Sequence, residues 1–468
     1  TLTDVYFLEG NSYISHTETP SICSAGTCTF ANDLSISVGE TLSFEHNAGV
    51  ASIVTVAIAN DLTVSGSMLF EHDLTNGYIV KATVGGDASI GASGAIRSDS
   101  QGCTTDTGPN ATTNACEDTS DTAEGKANTY TGGGGAHGGA GGAGSYAGSA
   151  GGTAYDDADD PVMFGAAGGI GSTTGTGGTG GGVVHLTVTG DLANAGTISA
   201  TGGNGTAAST VKVGGGGAGG SINLTTGTLS GASTNVFVTG GEGGDWNWDA
   251  GGGGGGRIYV GYSADNGTWL ASLTTATNAA GGSGNDLGVA GADGTVYSVQ
   301  LNTAPTVATV TATPANDGTG DVTVTFIMDD INNDDTLEAL VEYDVGGGFT
   351  KATISTAGAD TSATYGDPGV ANGESYQVGT SGSYITSSSG ANTVSTVWEA
   401  LTDESGTDYA TATIRITPTD GSDAGATSTS STFDLDLLAP TVSSASYKDT
   451  DADGTVDRVD VVFSEAVT

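Results

Sequence analysis

At 468 residues the chain is too long for one ordinary core, and 82 glycines with few Lys, Arg, Met or Gln disfavour helix and favour strands joined by tight turns. Nine basic residues against 53 acidic ones, a net charge of −44, repel nucleic acid and anionic membrane surfaces and make cations the natural counterpart. No apolar run is long enough to span a bilayer, and a chain opening at Thr1 is expected to be an exported, processed product or a portion of one.

A repeat opens the chain. "ANDLSISVGETLSFEH" at 31–46 matches "ANDLTVSGSMLFEH" at 59–72, "GGDASIGASGAIRSDSQG" at 85–102 continues the theme, and "TGDLANAGTISATGGNG" follows at 189–205. Each unit is a short alternating strand, a turn and a second strand. Asp33 to Asp61 is 28 residues and Asp61 to Asp87 is 26, a period that predicts one coil of a β-solenoid per repeat with inward Val, Leu and Ile stacked between coils. The "FEH" triplets, Phe44-Glu45-His46 and Phe70-Glu71-His72, are expected to stack on adjacent coils, as surface residues or as a metal ladder.

From residue 131 the period stretches. "VVHLTV" at Val183, "SINLTT" at Ser221 and "RIYVGY" at Arg257 start 38 and 36 residues apart, each directly preceded by a glycine run, and "TGGGGAHGGAGGAG" at 131–144 opens that half. Ordered glycine is entropically expensive. Phased runs therefore predict either polyproline-II arms hydrogen-bonded side by side or loops ordered against a neighbouring subunit; the alternative is flexible loops hanging from the solenoid. "DDADD" at 156–160 is expected to be a solvated loop. Trp246 and Trp248 in "DWNWD" are candidate interface anchors or sugar contacts.

Cys23 with Cys28 and Cys103 with Cys116 form two local pairs, which point to loop-closing disulfides and an oxidising compartment; zinc is the alternative, with no histidine beside either pair. Asn110, Asn204, Asn223 and Asn266 head glycosylation sequons. The five basic residues of this region, Lys81, Arg97, Lys126, Lys212 and Arg257, are scattered, unlike the clustered cations of a polysaccharide lyase. No carboxylate pair is singled out for glycoside hydrolysis, so the chain reads as non-enzymatic.

A boundary falls near residue 302, where "APTV" at 304–307 enters a module that is echoed by "APTV" at 439–442. The domains expected are a Gly-rich β-solenoid over 1–301, an antiparallel β-sandwich over 302–438 and an incomplete module over 439–468, which holds only two strands. Within the last, "DTDADGTVDRVD" places Asp449, Asp451, Asp453, Asp457 and Asp460 in the ligand order of a 12-residue calcium loop, with Gly454 at the sharp turn and Thr455 offering a backbone carbonyl. A looser acidic cluster, Asp329, Asp330, Asp334, Asp335 and Glu338, is a second calcium candidate.

The "TGDLANAGTISATGGNG" and "GGGGGGRIYVGY" units resemble the Gly-rich repeat regions of large bacterial surface proteins. "VEYDVGGGFTKATIS" with "IRITPTDGSDAG" resembles an Ig-like or fibronectin-type module of secreted bacterial proteins, and "APTVSSASYKDTDADGTVDRVDVVFSEAV" resembles the opening of Ig-like domains of S-layer proteins. The resemblance concerns architecture and implies an all-β chain: β-solenoid with Gly-rich arms, Ig-like β-sandwich, partial second Ig-like module. The function expected is an extracellular structural protein that self-assembles into a filament, sheath or surface layer stiffened by calcium, its partners copies of itself. A monomeric adhesin stalk gripping a cell-surface glycan is the rival, a polysaccharide-active enzyme a distant third, and an ice-binding face is disfavoured by irregular Thr spacing.

Overall fold

The computed structural model describes the chain apart from residues 1–4, 10–11, 16–22, 25–26, 46–53, 105–106, 111, 118–121, 173–174, 210–211, 267, 405 and 465–468. It divides into two compact units, Thr1–Leu301 and Asn302–Thr468. The chain is all-β: among the described residues helix is limited to the single turns Trp269–Ser272, Thr275–Asn278 and Ala400–Asp403. None of these is long and apolar enough to cross a membrane.

In the first unit the repeat strands pair in parallel and in register, so equivalent apolar residues stack. Leu34, Leu62, Ala88, Leu192 and Leu229 form one ladder; Leu42, Met68, Ile96, Ile198 and Val236 form another, and all are buried in one core. The repeated Asp has a structural task at the turn between strands. The N–H of Asp87 donates to the Asp61 carboxylate at 2.9 Å and that of Asp191 to the Asp87 carboxylate at 2.8 Å, tying each repeat to the next.

The expected β-solenoid followed by Ig-like sandwiches does not describe this fold. A solenoid keeps its strand rows in separate sheets with a corner between them. Here the long strand Ser221–Gly231 runs straight through that corner: its first half pairs with Val183–Val188 and its second with Leu192–Asn194. Both rows thereby join one 12-stranded sheet that curls back on itself, nearly closed like a barrel. The physical reason is local. Earlier units break at Asn60-Asp61, Gly86-Asp87 and Gly190-Asp191, whereas "TTGTLSG" has no Asp to cap a turn, and the strand continues. A second, 7-stranded sheet carries Thr41–Glu45, Ser67–Glu71, Ala95–Arg97 and Thr197–Ser199.

Between strands the glycine runs are ordered against one another within the chain. The N–H groups of Gly214, Gly217 and Gly220 donate to Thr206, Gly203 and Ala200; those of Gly215 and Ala218 to Gly169 and Ala166; those of Gly216 and Gly219 to Gly251 and Gly254, all at 2.7–3.0 Å. Every third residue faces the same neighbour, which is the geometry of a polyproline-II helix with three residues per turn. That helix has no hydrogen bonds of its own, so a bundle of such arms satisfies backbone groups that would otherwise be buried unpaired. Close approach is what demands glycine here. A Cβ on Gly215 or Gly253 would fall well inside 3.0 Å of the carbonyl of Gly133 or Gly217.

The second unit is built of antiparallel sheets. Thr306–Pro314, Asp321–Asp329, Asn392–Glu399 and Ser362–Ala363 form one; Glu338–Asp344, Asp408–Thr419 and shorter partners form the other. Their apolar faces share a core around Phe326, Val341, Trp398 and Ile416. The Ig-like resemblance fails in the stretch 345–391, whose only strands are Thr350–Lys351 and Ser362–Ala363 and which is otherwise pinned by isolated bridges such as Ala339 to Val378. Val442–Lys448 and Arg458–Phe463 form a separate exposed hairpin.

Candidate functional site

Two acidic clusters stand out in the second unit, and they differ in kind. In the terminal hairpin, carboxylate oxygens of Asp449, Asp451 and Asp453 lie within 4.8 Å of one another, all on exposed residues. The loop satisfies them itself. Asp449 accepts from the Gly454 N–H at 2.9 Å and Asp453 from the Thr455 N–H at 2.7 Å. Asp457 is turned back to the Thr450 N–H at 2.6 Å, and Asp460 pairs with Arg458 at 2.8 Å. Asp449, Asp451 and Asp453 gather; the Asp457 and Asp460 carboxylates are not part of that group.

The other cluster is Asp330, Asp334 and Asp420, again with one oxygen each within 4.8 Å. Of the residues expected there, Asp329 instead caps the Asp330 N–H at 3.1 Å and Asp335 accepts from the Ser388 N–H at 3.2 Å. Glu338 lies on the strand Glu338–Asp344, with its carboxyl raised by burial and by Glu374. Asp420 is the member that sequence reasoning missed. It sits in the acidic turn "DGSD", and the pairing of Glu338 with Thr419 brings it beside the 330–334 turn. Asp330 is 3% exposed and Asp420 8%. Burial, then the negative charges of Asp334, Asp420 and Asp329, raise the Asp330 carboxyl above its usual range, although the Asn332 N–H donates to it. Burial also works against the Asp420 charge, but the Asp423 and Ser422 N–H groups and the Asn302 amide outweigh it and hold that carboxyl low.

No family model matches the chain, and no curated protein and no solved structure shows a similarity to it. The functional reading therefore rests on the sites themselves.

In the first unit, Trp246 and Trp248 are 50% and 37% exposed. Trp248 packs edge-on against Tyr146 at 5.6 Å, and Tyr146 against Tyr130 at 4.7 Å, giving a surface aromatic group beside the glycine bundle. Cys103 and Cys116 are joined in a disulfide within a small apolar cluster with Phe164 and Val183. Cys23 faces Cys28 in the strand register; their side chains lie outside the described residues. His46 lies outside them too. His72 accepts the Val80 N–H at Nδ1 at 3.1 Å, and its Nε2 faces the Val183 carbonyl and Ser98 Oγ, each at 3.0 Å, a structural use of the second "FEH". Of the sequons, Asn204 and Asn266 are exposed and Asn110 is half-buried, whereas Asn223 is buried and donates to Asp160 at 2.9 Å.

"DDADD" is not simply solvated. The Asp156 side chain is 5% exposed and accepts from His137 of the first glycine run at 3.0 Å. His185, in register between Lys81 and Asn223, has a buried Nδ1 with no partner among the described residues. Burial and then Lys81, partly offset by Asp160, pull its pKa down to about 4. As pH falls below the ordinary value of about 6.5, the unfolded chain binds a proton that the folded chain refuses, so stability drops by about 1.4 kcal/mol per pH unit until the folded value is reached. Urea unfolding at pH 7, 6 and 5 should show that slope, and His185→Gln should reduce it. Equal slopes in the two proteins would refute this assignment.

Proposed function

We propose that the chain is a non-enzymatic, exported structural protein that assembles with copies of itself into a surface filament, sheath or layer. The observation that carries this reading is the exposed aromatic pair Trp248 and Tyr146, with the exposed Trp246 two residues away in sequence, set beside an ordered, hydrogen-bonded glycine bundle. Exposed aromatic side chains on a rigid support mark interaction surfaces, because little conformational entropy is lost when they are covered. The −44 net charge keeps free chains apart and makes assembly dependent on cations that screen or bridge it.

Electron microscopy of the purified chain after chelation and after return of calcium should show ordered polymer only in the second state. Trp246→Ala with Trp248→Ala should abolish it while leaving the unfolding midpoint unchanged. Monodisperse monomers under both conditions would overturn the proposal. The same exposed tryptophans also favour a second reading, a stalk that grips a surface glycan. Saturable glycan binding lost in the double variant, with assembly intact, would establish that reading instead.

A further inference from the structure

We propose that Asp330, Asp334 and Asp420 form a binding site for a hard divalent cation of the calcium class, which clasps together the two sheets of the second unit. Asp330 follows the strand Asp321–Asp329 of one sheet and Asp420 follows Asp408–Thr419 of the other, so a shared ion joins turns that carry no covalent link.

The decisive observation is one atom. Oδ1 of Asp330 accepts the Asn332 N–H at 2.7 Å, but Oδ2 is buried and has no hydrogen-bond partner among the described residues. An ionised carboxylate oxygen taken out of water without a donor is strongly unfavourable. Like charge makes matters worse, because one oxygen of this carboxylate lies within 4.8 Å of a carboxylate oxygen of Asp334 and of Asp420. Nor do the basic side chains of this unit relieve it where their contacts are known: Arg415 pairs with Glu342 and stacks on Phe349, Arg458 pairs with Asp460, and Lys351 donates to the Glu374 carbonyl. A cation among the three oxygens removes both penalties.

Dimensions and chemistry agree with an ion of this kind. Calcium holds oxygens at about 2.3–2.6 Å, so two ligands on opposite sides of it stand roughly 4.6–5.2 Å apart and adjacent ones closer; the three oxygens here lie within 4.8 Å. All are carboxylate oxygens, which favour hard cations over zinc or copper. Asp420 is already oriented by the Ser422 and Asp423 N–H groups, both donating to Oδ1 at 2.7 Å, and by the Asn302 amide on Oδ2 at 2.8 Å, which leaves Oδ2 a further lone pair. Asn302 and Thr303 lie against the same two turns, Thr303 through its N–H to Asn332 at 2.8 Å, so the site also organises the start of the unit.

The inference does not depend on self-assembly, since binding is measured on the dispersed chain. Full-length protein stripped with EDTA is titrated with CaCl2 and, separately, MgCl2, by calorimetry and by thermal unfolding. Calcium should bind saturably and raise the midpoint, magnesium less so. Asp330→Asn and Asp334→Asn should each weaken calcium binding tenfold or more, while the triple variant Asp449→Asn, Asp451→Asn, Asp453→Asn should keep this site. Asp334 is only half-buried, so its variant serves if Asp330→Asn does not fold. Calcium binding unchanged in Asp334→Asn, or lost only in the triple variant, would overturn the proposal. So would a stripped chain indifferent to calcium that Asp330→Asn stabilises, because Asp330 would then be a protonated acid.

Discussion

Gly253→Ala should destabilise the first unit by about 3 kcal/mol or more, although it adds a single methyl group. The added Cβ would meet the Gly217 carbonyl well inside 3.0 Å, with the Gly217 carbon and the Ala218 nitrogen next in line, and all three are backbone atoms that no rotamer change can move. The arms must separate or the run must shift. Either response strains the period-three hydrogen bonds, in which Gly253 donates to Gly241 and Gly256 to Val238. Gly134→Ala, which drives a Cβ into the Gly252 carbonyl, should behave in the same way. Gly347→Ala is the control. Nothing lies within 4 Å of the position its Cβ would take, so its effect should stay within about 0.5 kcal/mol. Chemical unfolding of the three variants measures this, and an unchanged midpoint for Gly253→Ala would mean that the arms are loosely packed.

The repeats were legible in the sequence because their meaning is local. Asp33, Asp61 and Asp87 recur since each is bonded to the next repeat, and the apolar positions between them stack in register. The curling of the main sheet was not legible, because it depends on a missing signal: "TTGTLSG" lacks the Asp that ends its counterparts, and absence of a turn residue does not reveal which strands will then share a sheet. The glycine runs announced close packing without saying against what. Glycine has no side chain to carry an inside-outside pattern, so the choice of neighbour follows from strand lengths and not from the run. Acidic clusters were legible only where they are local in the chain. The 449–460 spacing matched a calcium loop whose carboxylates bond to their own backbone, while Asp420 stands 90 residues from Asp330 and joins it only through strand pairing.

Asp156→Asn should cost about 3–5 kcal/mol, the range for removing one partner of a buried ion pair. His137 is fully buried among glycines, and both of its ring nitrogens face acceptors: Nδ1 the carbonyls of Gly219 at 3.0 Å and Gly220 at 3.1 Å, Nε2 the Asp156 carboxylate at 3.0 Å. Of these acceptors Asp156 alone is a carboxylate, and no other side chain reaches the ring in these contacts. This pair also fastens the acidic loop to the bundle. Beside it Arg257 donates twice to the Tyr155 carbonyl, at 2.7 and 3.0 Å, and Ser221 donates to the Met163 carbonyl at 2.7 Å. Burial opposes the Asp156 charge, but the hydrogen bond and the charge of His137, then the Asp157 and Met163 N–H groups, hold its carboxyl below the usual range. A depressed carboxyl stabilises the fold above its unfolded value of about 3.9 and loses that contribution as pH falls toward the lower folded value. The wild-type chain should therefore lose stability through this group only below about pH 4, and Asp156→Asn should be weakened already at pH 7, with a shallower further loss in acid. Unfolding midpoints of the two proteins at pH 7, 5 and 3.5 decide it. A variant within 1 kcal/mol of wild type at pH 7 would show that the loop is held by Arg257 and Ser221 alone.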